Sequence, residues 1–250
     1  MLYLDKGYIG CFEMSDKESG KKQLMRYVQQ LKDNGHKKII APINGDTWHQ
    51  YRLVSWSNGD PVFPLEPQNP LWYNEVYEEL EFKPLMKYRS DKFSMGKVKP
   101  IDNTDSALSF RGFRDSDLRL IYDLSLKGFD ENYLYSEISF EEFGKLYQPL
   151  LSMVDKELIV IAELDGSSVG FLFAFIRNDT QILKSIAVLP EFRSKGIATK
   201  LVNHVLLTGE RKGAKTAIAA LMLDGSNSSK VVSKYDSEKI REYTLYCLEV

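Results

Sequence analysis

The segment Lys184–Leu201, KSIAVLPEFRSKGIATKL, has the residue types and spacing of a site for an anion. An apolar run ends at Val188, and Pro190 stops the ladder because it offers no N–H. Arg193-Ser194-Lys195-Gly196-Ile197-Ala198 then leads directly into a helical period at Ile197, Leu201, Val202 and Val205. The first N–H groups of a helix have no internal partners, and the helix dipole adds partial positive charge at the same point. A strand that turns straight into a helix therefore holds an anion well. Gly196 lets the backbone approach closely, and Ala198 leaves room beside it. Arg193 and Lys195 add charge, while the hydroxyls of Ser194 and Thr199 are further donors. The ligand that fits is a diphosphate. The plainer reading is a Gly-containing turn with a solvated basic surface.

Little else in the 250 residues competes with that segment. Cys11 and Cys247 form no CxxC pair, and His36, His49 and His204 lack the i, i+4 spacing of a zinc helix. No metal is expected. With 43% hydrophobic, 27% charged and 12% aromatic residues, the chain can build a core, which excludes a disordered protein. Its net charge of −2 gives no global field for nucleic acid. The N-terminal run MLYLDKGYIG has no basic leader, and no stretch approaches the roughly 20 apolar residues that span a bilayer. A cytoplasmic protein with no membrane partner is expected.

The elements around the segment read as mixed α/β. In the second half a short strand at 109–113 precedes a helix carrying Leu118, Ile121, Tyr122 and Leu126 on one face. A second helix, from Phe140 to Tyr147, is expected to stop at Pro149. Strands follow at 158–163, 169–177 and 181–188, the first two joined by Asp165-Gly166, a hairpin signal. After the turn and its helix come a strand at 216–223, a short helix near Ser228–Tyr235 and a Tyr-rich strand at 241–248. Ser90–Ala107 has no hydrophobic period and reads as a connector.

The first half repeats part of this order: a strand at 8–14, a helix with Leu24, Val28 and Leu31, strands at 38–43 and 84–89, and a helix at 74–80 between them. Gly20 and Gly196 lie 176 residues apart, as do Lys17 and Arg193. Asn69 and Asn227, Tyr77 and Tyr235, and Tyr88 and Tyr246 each lie 158 apart. The offsets predict an internal duplication with an insertion at 46–65 in the first copy. The aromatic stretch there reads either as a stapling cluster or, through Trp48, Tyr51, Arg52, Trp56 and Glu66, as a cleft wall. Glu75, Glu78, Glu79 and Glu81 would attract a cationic amine or simply form a solvated helix face.

Arg193, Gly196 and Ala198, with Val188 and Pro190 before them, resemble the signature of the GNAT superfamily: Arg or Gln, two residues, Gly, any residue, Gly or Ala. The surrounding strand and helix order over 108–250 is similar to that family's throughout. The resemblance implies a mixed-sheet α/β fold of two GNAT-like repeats. Residues 1–92 form a truncated, degenerate half, 93–107 a linker, and 108–250 an acetyl-CoA-binding domain. It also implies acetyl-CoA as co-substrate, held along Ile186, Ala187 and Val188 and at Arg193, Ser194, Lys195, Gly196, Ile197, Ala198 and Thr199, with Asn227 beside it. The acceptor would be a small-molecule or peptide amine that attacks directly in a ternary complex. A family tyrosine that protonates the departing thiolate would fall seven residues past Asn227, at Lys234, with Tyr235 one residue on. Tyr235 is the candidate acid if the helix starts differently, and a half-buried packing residue otherwise. No carboxylate lies on 181–188, which leaves water, Glu163 or Glu13 for the base. In the first half Lys17 replaces the Arg and Lys22 the small residue, so cofactor binding is not expected there. The alternatives are a non-catalytic acyl-CoA-binding module, motivated by the missing carboxylate, and another nucleotide-diphosphate binder, which the absence of GxGxxG and P-loop patterns disfavours.

Overall fold

The computed structural model describes residues 6–101 and 107–250, so the first five residues and most of the expected connector's end, 102–106, lie outside the described residues. The chain forms two compact units, Met1–Arg89 with Lys239–Val250, and Ser90–Glu238.

The second unit holds Lys184–Leu201. Its strands are β5 (Leu108–Gly112), β6 (Ile159–Leu164), β7 (Ser167–Arg177), β8 (Thr180–Val188) and β9 (Thr216–Leu223), hydrogen-bonded in that order. The β5–β6, β6–β7 and β7–β8 pairs are antiparallel and β8–β9 is parallel. Asp165 (φ 51°) and Gly166 (φ 76°) make the expected tight hairpin between β6 and β7. β7 is buried without a break from Val169 to Phe175, as a central strand covered on both faces must be. Alternate residues serve the two faces. Leu172 and Ala174 pack with Leu201, Val202 and Val205 of α5 (Ile197–Arg211). Phe171 and Phe173 share an apolar cleft with Ile121 of α3 (Leu118–Phe129) and Phe143 of α4 (Phe140–Met153). Contrary to expectation, α4 continues past Pro149, because Leu151 is buried in that same cleft and the apolar contact outweighs one lost backbone bond.

The expected connector begins later than its composition suggests. β4 runs from Lys83 through Ser94, and its last five residues, Ser90–Ser94, belong to the second unit beside β9. Ser90 is buried, its Oγ accepting from the Leu221 N–H at 3.0 Å, and the Met95 N–H reaches the Lys215 carbonyl at 2.9 Å. Phe93 and Met95 join the core. Polar composition hides a strand here because two of its buried residues, Ser90 and Asp91, are themselves polar.

The first unit contains β1 (Lys6–Tyr8), α1 (Lys17–Asp33), β2 (Lys38–Ala41), β3 (Leu53–Ser57), α2 (Trp72–Glu79) and the start of β4. β1 is parallel to β2, with α1 as the crossover. The first strand is shorter than expected and ends before Ile9. β3 arises inside the stretch read as an insertion. The Tyr-rich final strand, β10 (Glu238–Glu249), pairs antiparallel with β2 through Tyr246↔Ala41 and with β3 through Thr244↔Leu53. All of it from Lys239 onward is therefore part of the first unit, although its sequence position groups it with the second half.

Candidate active site

The β8–β9 ladder is short. It runs from Thr180↔Thr216 to Leu183↔Ala219, whereas β8 stays paired to β7 as far as Val188↔Gly170. At the point of separation Phe173 pairs with Ser185 and Ala174 with Leu183, so Lys184 is the extra residue of a β-bulge. A bulge bends its strand and strengthens the local twist, which accounts for the two parallel strands parting there. The split leaves the Ser185–Val188 side of β8 beyond the β9 ladder, where an extended ligand can hydrogen-bond to backbone. Ile186 is half-buried; Ala187 and Val188 are buried, as expected for residues offering backbone rather than side chain.

Beyond Val188 the chain makes one tight turn over Pro190–Phe192, closed by the Arg193 N–H on the Pro190 carbonyl at 3.1 Å. Ser194 (φ 64°) and Gly196 (φ 77°) are both left-handed, and together they reverse the chain into α5. Glycine adopts that conformation without penalty. Gly196 is the N-cap and supplies no side-chain cap, so the first-turn N–H groups of Ile197, Ala198 and Thr199 point out of an uncapped, exposed helix end. A Cβ built on Gly196 would meet nothing within 4 Å, so the space over the turn is open. An anionic diphosphate fits this end.

The charged side chains of the turn are placed differently from the sequence reading. Arg193 faces the protein: Nε donates to the Val188 carbonyl at 3.2 Å, Nη2 to the Gly128 carbonyl at 3.0 Å, and Nη1 pairs with Glu131. Lys195 lies over the Phe192 ring at 4.9 Å. Ser194 is exposed, and the half-buried Thr199 lies 3.4 Å from the Lys234 Nζ. Asn227 is the exposed first residue of α6 (Asn227–Val232), and Ser226 before it caps the helix. Tyr235 stacks on Phe93 at the edge of the core. Its hydroxyl is buried beside Asn203, and burial pushes the phenol above its ordinary value against a smaller opposing pull from the Asn203 side chain.

Asn203 had no signal in the sequence beyond its place on a helix. Buried on α5, it donates from Nδ2 to the Lys99 carbonyl at 2.9 Å and accepts at Oδ1 from the Ile101 N–H at 3.0 Å. It thereby holds the stretch after β4 against α5 across a cavity of about 270 Å³ that Thr199, Lys234 and Tyr235 also line. The bulge at Lys184 was equally hidden, because no residue type announces it.

Of the candidate bases, Glu163 is committed: Arg111 donates from Nε to it at 2.7 Å and holds Asp117 at 2.6 Å through Nη1. Glu13 is exposed in the first unit. The equivalent helix end there is closed. The Asp16 carboxylate caps α1 by accepting from the Ser19 N–H at 2.9 Å, placing negative charge where a phosphate would sit. Gly20 lies within α1 rather than at its cap; a Cβ there would come within 2.4 Å of Met14 Sδ, so it serves helix packing. Glu75 and Glu79 pair with Lys17 and Lys21, which makes the acidic run a solvated face. Glu66 is buried and bonded to Tyr243 and Arg241 within the first unit, so its carboxylate does not line an open cleft. Among the described residues, no helix is long and apolar enough to cross a membrane.

The chain is similar to known proteins over this unit. The profile of the acetyltransferase (GNAT) family matches residues 120–229. An uncharacterized N-acetyltransferase of Archaeoglobus fulgidus is 32% identical over 104 residues, covering 39% of this chain and 68% of that protein. Aminoglycoside N(6')-acetyltransferase type 1 of Salmonella typhimurium is 30% identical over 95 residues, covering 34% of this chain and 66% of that protein. In fold, a GCN5-related N-acetyltransferase from Sphaerobacter thermophilus superposes over 93% of this chain and 67% of its own, with a TM-score of 0.65 at 14% identity. A tandem GNAT protein from the clavulanic acid biosynthesis pathway does so over 94% and 71%, with a TM-score of 0.56 at 10% identity. The two-repeat mixed-sheet architecture is thus shared in fold with a known tandem GNAT protein. With the split strands, the uncapped glycine turn and the relative from Archaeoglobus together, the chain belongs to the GNAT family of acetyltransferases.

Proposed function

We propose that this protein is an N-acetyltransferase that takes its acetyl group from acetyl-CoA and passes it to an amine by direct attack in a ternary complex. The observation that carries the reading is the ladder ending at Leu183↔Ala219 while β8 continues to Val188, directly before the uncapped end of α5. The N–H groups of Ile197, Ala198 and Thr199 would take the diphosphate, and the Ser185–Val188 edge would pair with the extended arm. A backbone N–H on that edge is suited to stabilise charge developing on the thioester oxygen. Holding both reactants in line supplies much of the acceleration, since a bimolecular reaction becomes effectively unimolecular. With β8 lacking a carboxylate and Glu163 held by Arg111, proton removal from the amine falls to water. Tyr235, stacked on Phe93 with its hydroxyl enclosed, packs the unit rather than protonating the thiolate. The first unit, its helix end closed by Asp16, binds no second cofactor. A cytoplasmic location goes with this reading.

Calorimetric titration with acetyl-CoA, CoA and ADP in parallel tests it. One site per chain and tighter binding of acetyl-CoA than ADP are expected. An amine panel that includes amino sugars, chosen because of the aminoglycoside-modifying relative, polyamines and peptide N-termini should then release free thiol. Binding without thiol release from any amine would favour a non-catalytic acyl-CoA-binding module, and no binding would remove the function.

A further inference from the structure

Arg193 is the signature residue whose charge suggests a phosphate ligand, yet its donors are directed elsewhere. Nε and Nη2 reach two backbone carbonyls, those of Val188 and Gly128, and Nη1 meets the Glu131 carboxylate. The three acceptors come from the last residue of β8, the last turn of α3 and the segment just after it. Contact between these elements is already close, since a Cβ on Gly128 would fall 2.6 Å from the Ala187 Cβ. A planar fork can satisfy three such acceptors at once, which a lysine ammonium cannot do with the same geometry.

We propose that Arg193 is a positioning residue, a brace that fixes the direction of the turn after β8 by tying it to the end of α3, and that it does not bind the phosphates. This rests on the reading of the Ser185–Val188 edge and the α5 turn as the acetyl-CoA site. On this account the loss of Arg193 weakens cofactor binding through the geometry of the α5 N–H groups. Charge alone cannot replace it.

The two roles predict opposite results for two variants. Arg193→Lys keeps the charge but not the fork: a brace predicts at least a tenfold rise in the Kd for acetyl-CoA, with the wild-type slope of log Kd against log salt retained. A phosphate ligand predicts near-normal binding. Glu131→Gln, at an exposed carboxylate whose replacement leaves the fold intact, removes a negative charge close to the turn. A brace predicts weaker acetyl-CoA binding and a higher KM for it with kcat unchanged, whereas a phosphate ligand predicts tighter binding as Arg193 is released. Normal binding by Arg193→Lys, or tighter binding by Glu131→Gln, overturns the brace while leaving the acetyl-CoA site standing. Failure of the wild-type protein itself to bind acetyl-CoA overturns both.

Discussion

Tyr77 lies flat on Tyr246, ring centroids 5.2 Å apart and planes at 18°, and this pair is repeated by Tyr235 on Phe93, at 5.2 Å and 17°. Tyr77 and Tyr235 are 158 residues apart, the offset of the duplication. Tyr77 lies on the helix before β4 and stacks on β10, which the first unit takes from the end of the sequence, while Tyr235 lies in the turn before β10 and stacks on the Ser90–Ser94 part of β4, which belongs to the second unit. Both hydroxyls are buried without a well-formed hydrogen bond.

Removing either hydroxyl should therefore cost nothing. A buried polar group without a partner carries a desolvation penalty of about 1–3 kcal/mol, so Tyr77→Phe and Tyr235→Phe should leave stability equal or raise it. Thermal melts check this. With Tyr235→Phe, kcat for any accepted amine should stay within about twofold, a change worth under ~0.5 kcal/mol of barrier. A hundredfold loss would make Tyr235 the acid after all.

Gly196 and Gly20 should separate function from packing. Gly196→Ala meets no atom within 4 Å but forces a side chain into the left-handed region, a cost of about 1–2 kcal/mol. It should weaken acetyl-CoA binding about tenfold as the turn relaxes, with a small change in Tm. Gly20→Ala drives a methyl into Met14, and overpacking of this kind costs about 1–3 kcal/mol. Its Tm should fall while calorimetry gives an unchanged Kd.

The Arg111–Asp117 pair sets an acid limit on stability. Burial pushes the Asp117 carboxyl up, but hydrogen bonds from the Arg111 side chain and the Arg114 N–H outweigh this and hold it below the usual range. A carboxyl lowered in the folded state contributes stability above its unfolded pKa of about 3.9, and that stability is lost as pH falls through the lower folded value. Asp117→Asn should thus destabilise by roughly 2 kcal/mol at pH 7, somewhat less than a fully buried pair would lose. The gap to wild type should narrow once the pH falls below the unfolded pKa of about 3.9 toward the lower folded value. Urea titrations at the two pH values measure it, and a pH-independent gap would contradict the assignment.

In the first unit Arg241 and Glu66 form a buried pair at 3.1 Å, with Tyr243 Oη donating to the same carboxylate at 2.7 Å. Arg241→Ala leaves that carboxylate without its cation, at a cost of about 3–5 kcal/mol. Hydrogen exchange should show β2 and β3 losing protection while β7 and β8 keep theirs, and acetyl-CoA affinity should not change.

Most of the second unit was legible because its signals are local. Asp165-Gly166 encodes a hairpin, the apolar run at 169–175 encodes a central strand, and Arg193, Gly196 and Ala198 encode the turn. What stayed hidden depends on partners distant in sequence. Whether Arg193 points at a phosphate or at Gly128 is decided by α3, 65 residues earlier. The bulge at Lys184 is set by pairing with β7. Ser90–Ser94 reads as linker until β9 lies beside it, and Gly20 reads as the copy of Gly196 until α1 is seen to begin three residues earlier, at Lys17, capped by the Asp16 carboxylate.

The exchange of terminal strands also fixes an order of events during synthesis. The first unit needs β10 to complete its sheet, yet β10 is made after the whole of the second unit. Domains that are contiguous in sequence can fold in turn as they emerge from the ribosome. Here the first 89 residues must wait, with the β2 edge uncovered, until β10 has been translated. For the same reason the duplicated halves cannot be separated by a cut at the linker: each fragment would carry away a strand that the other requires.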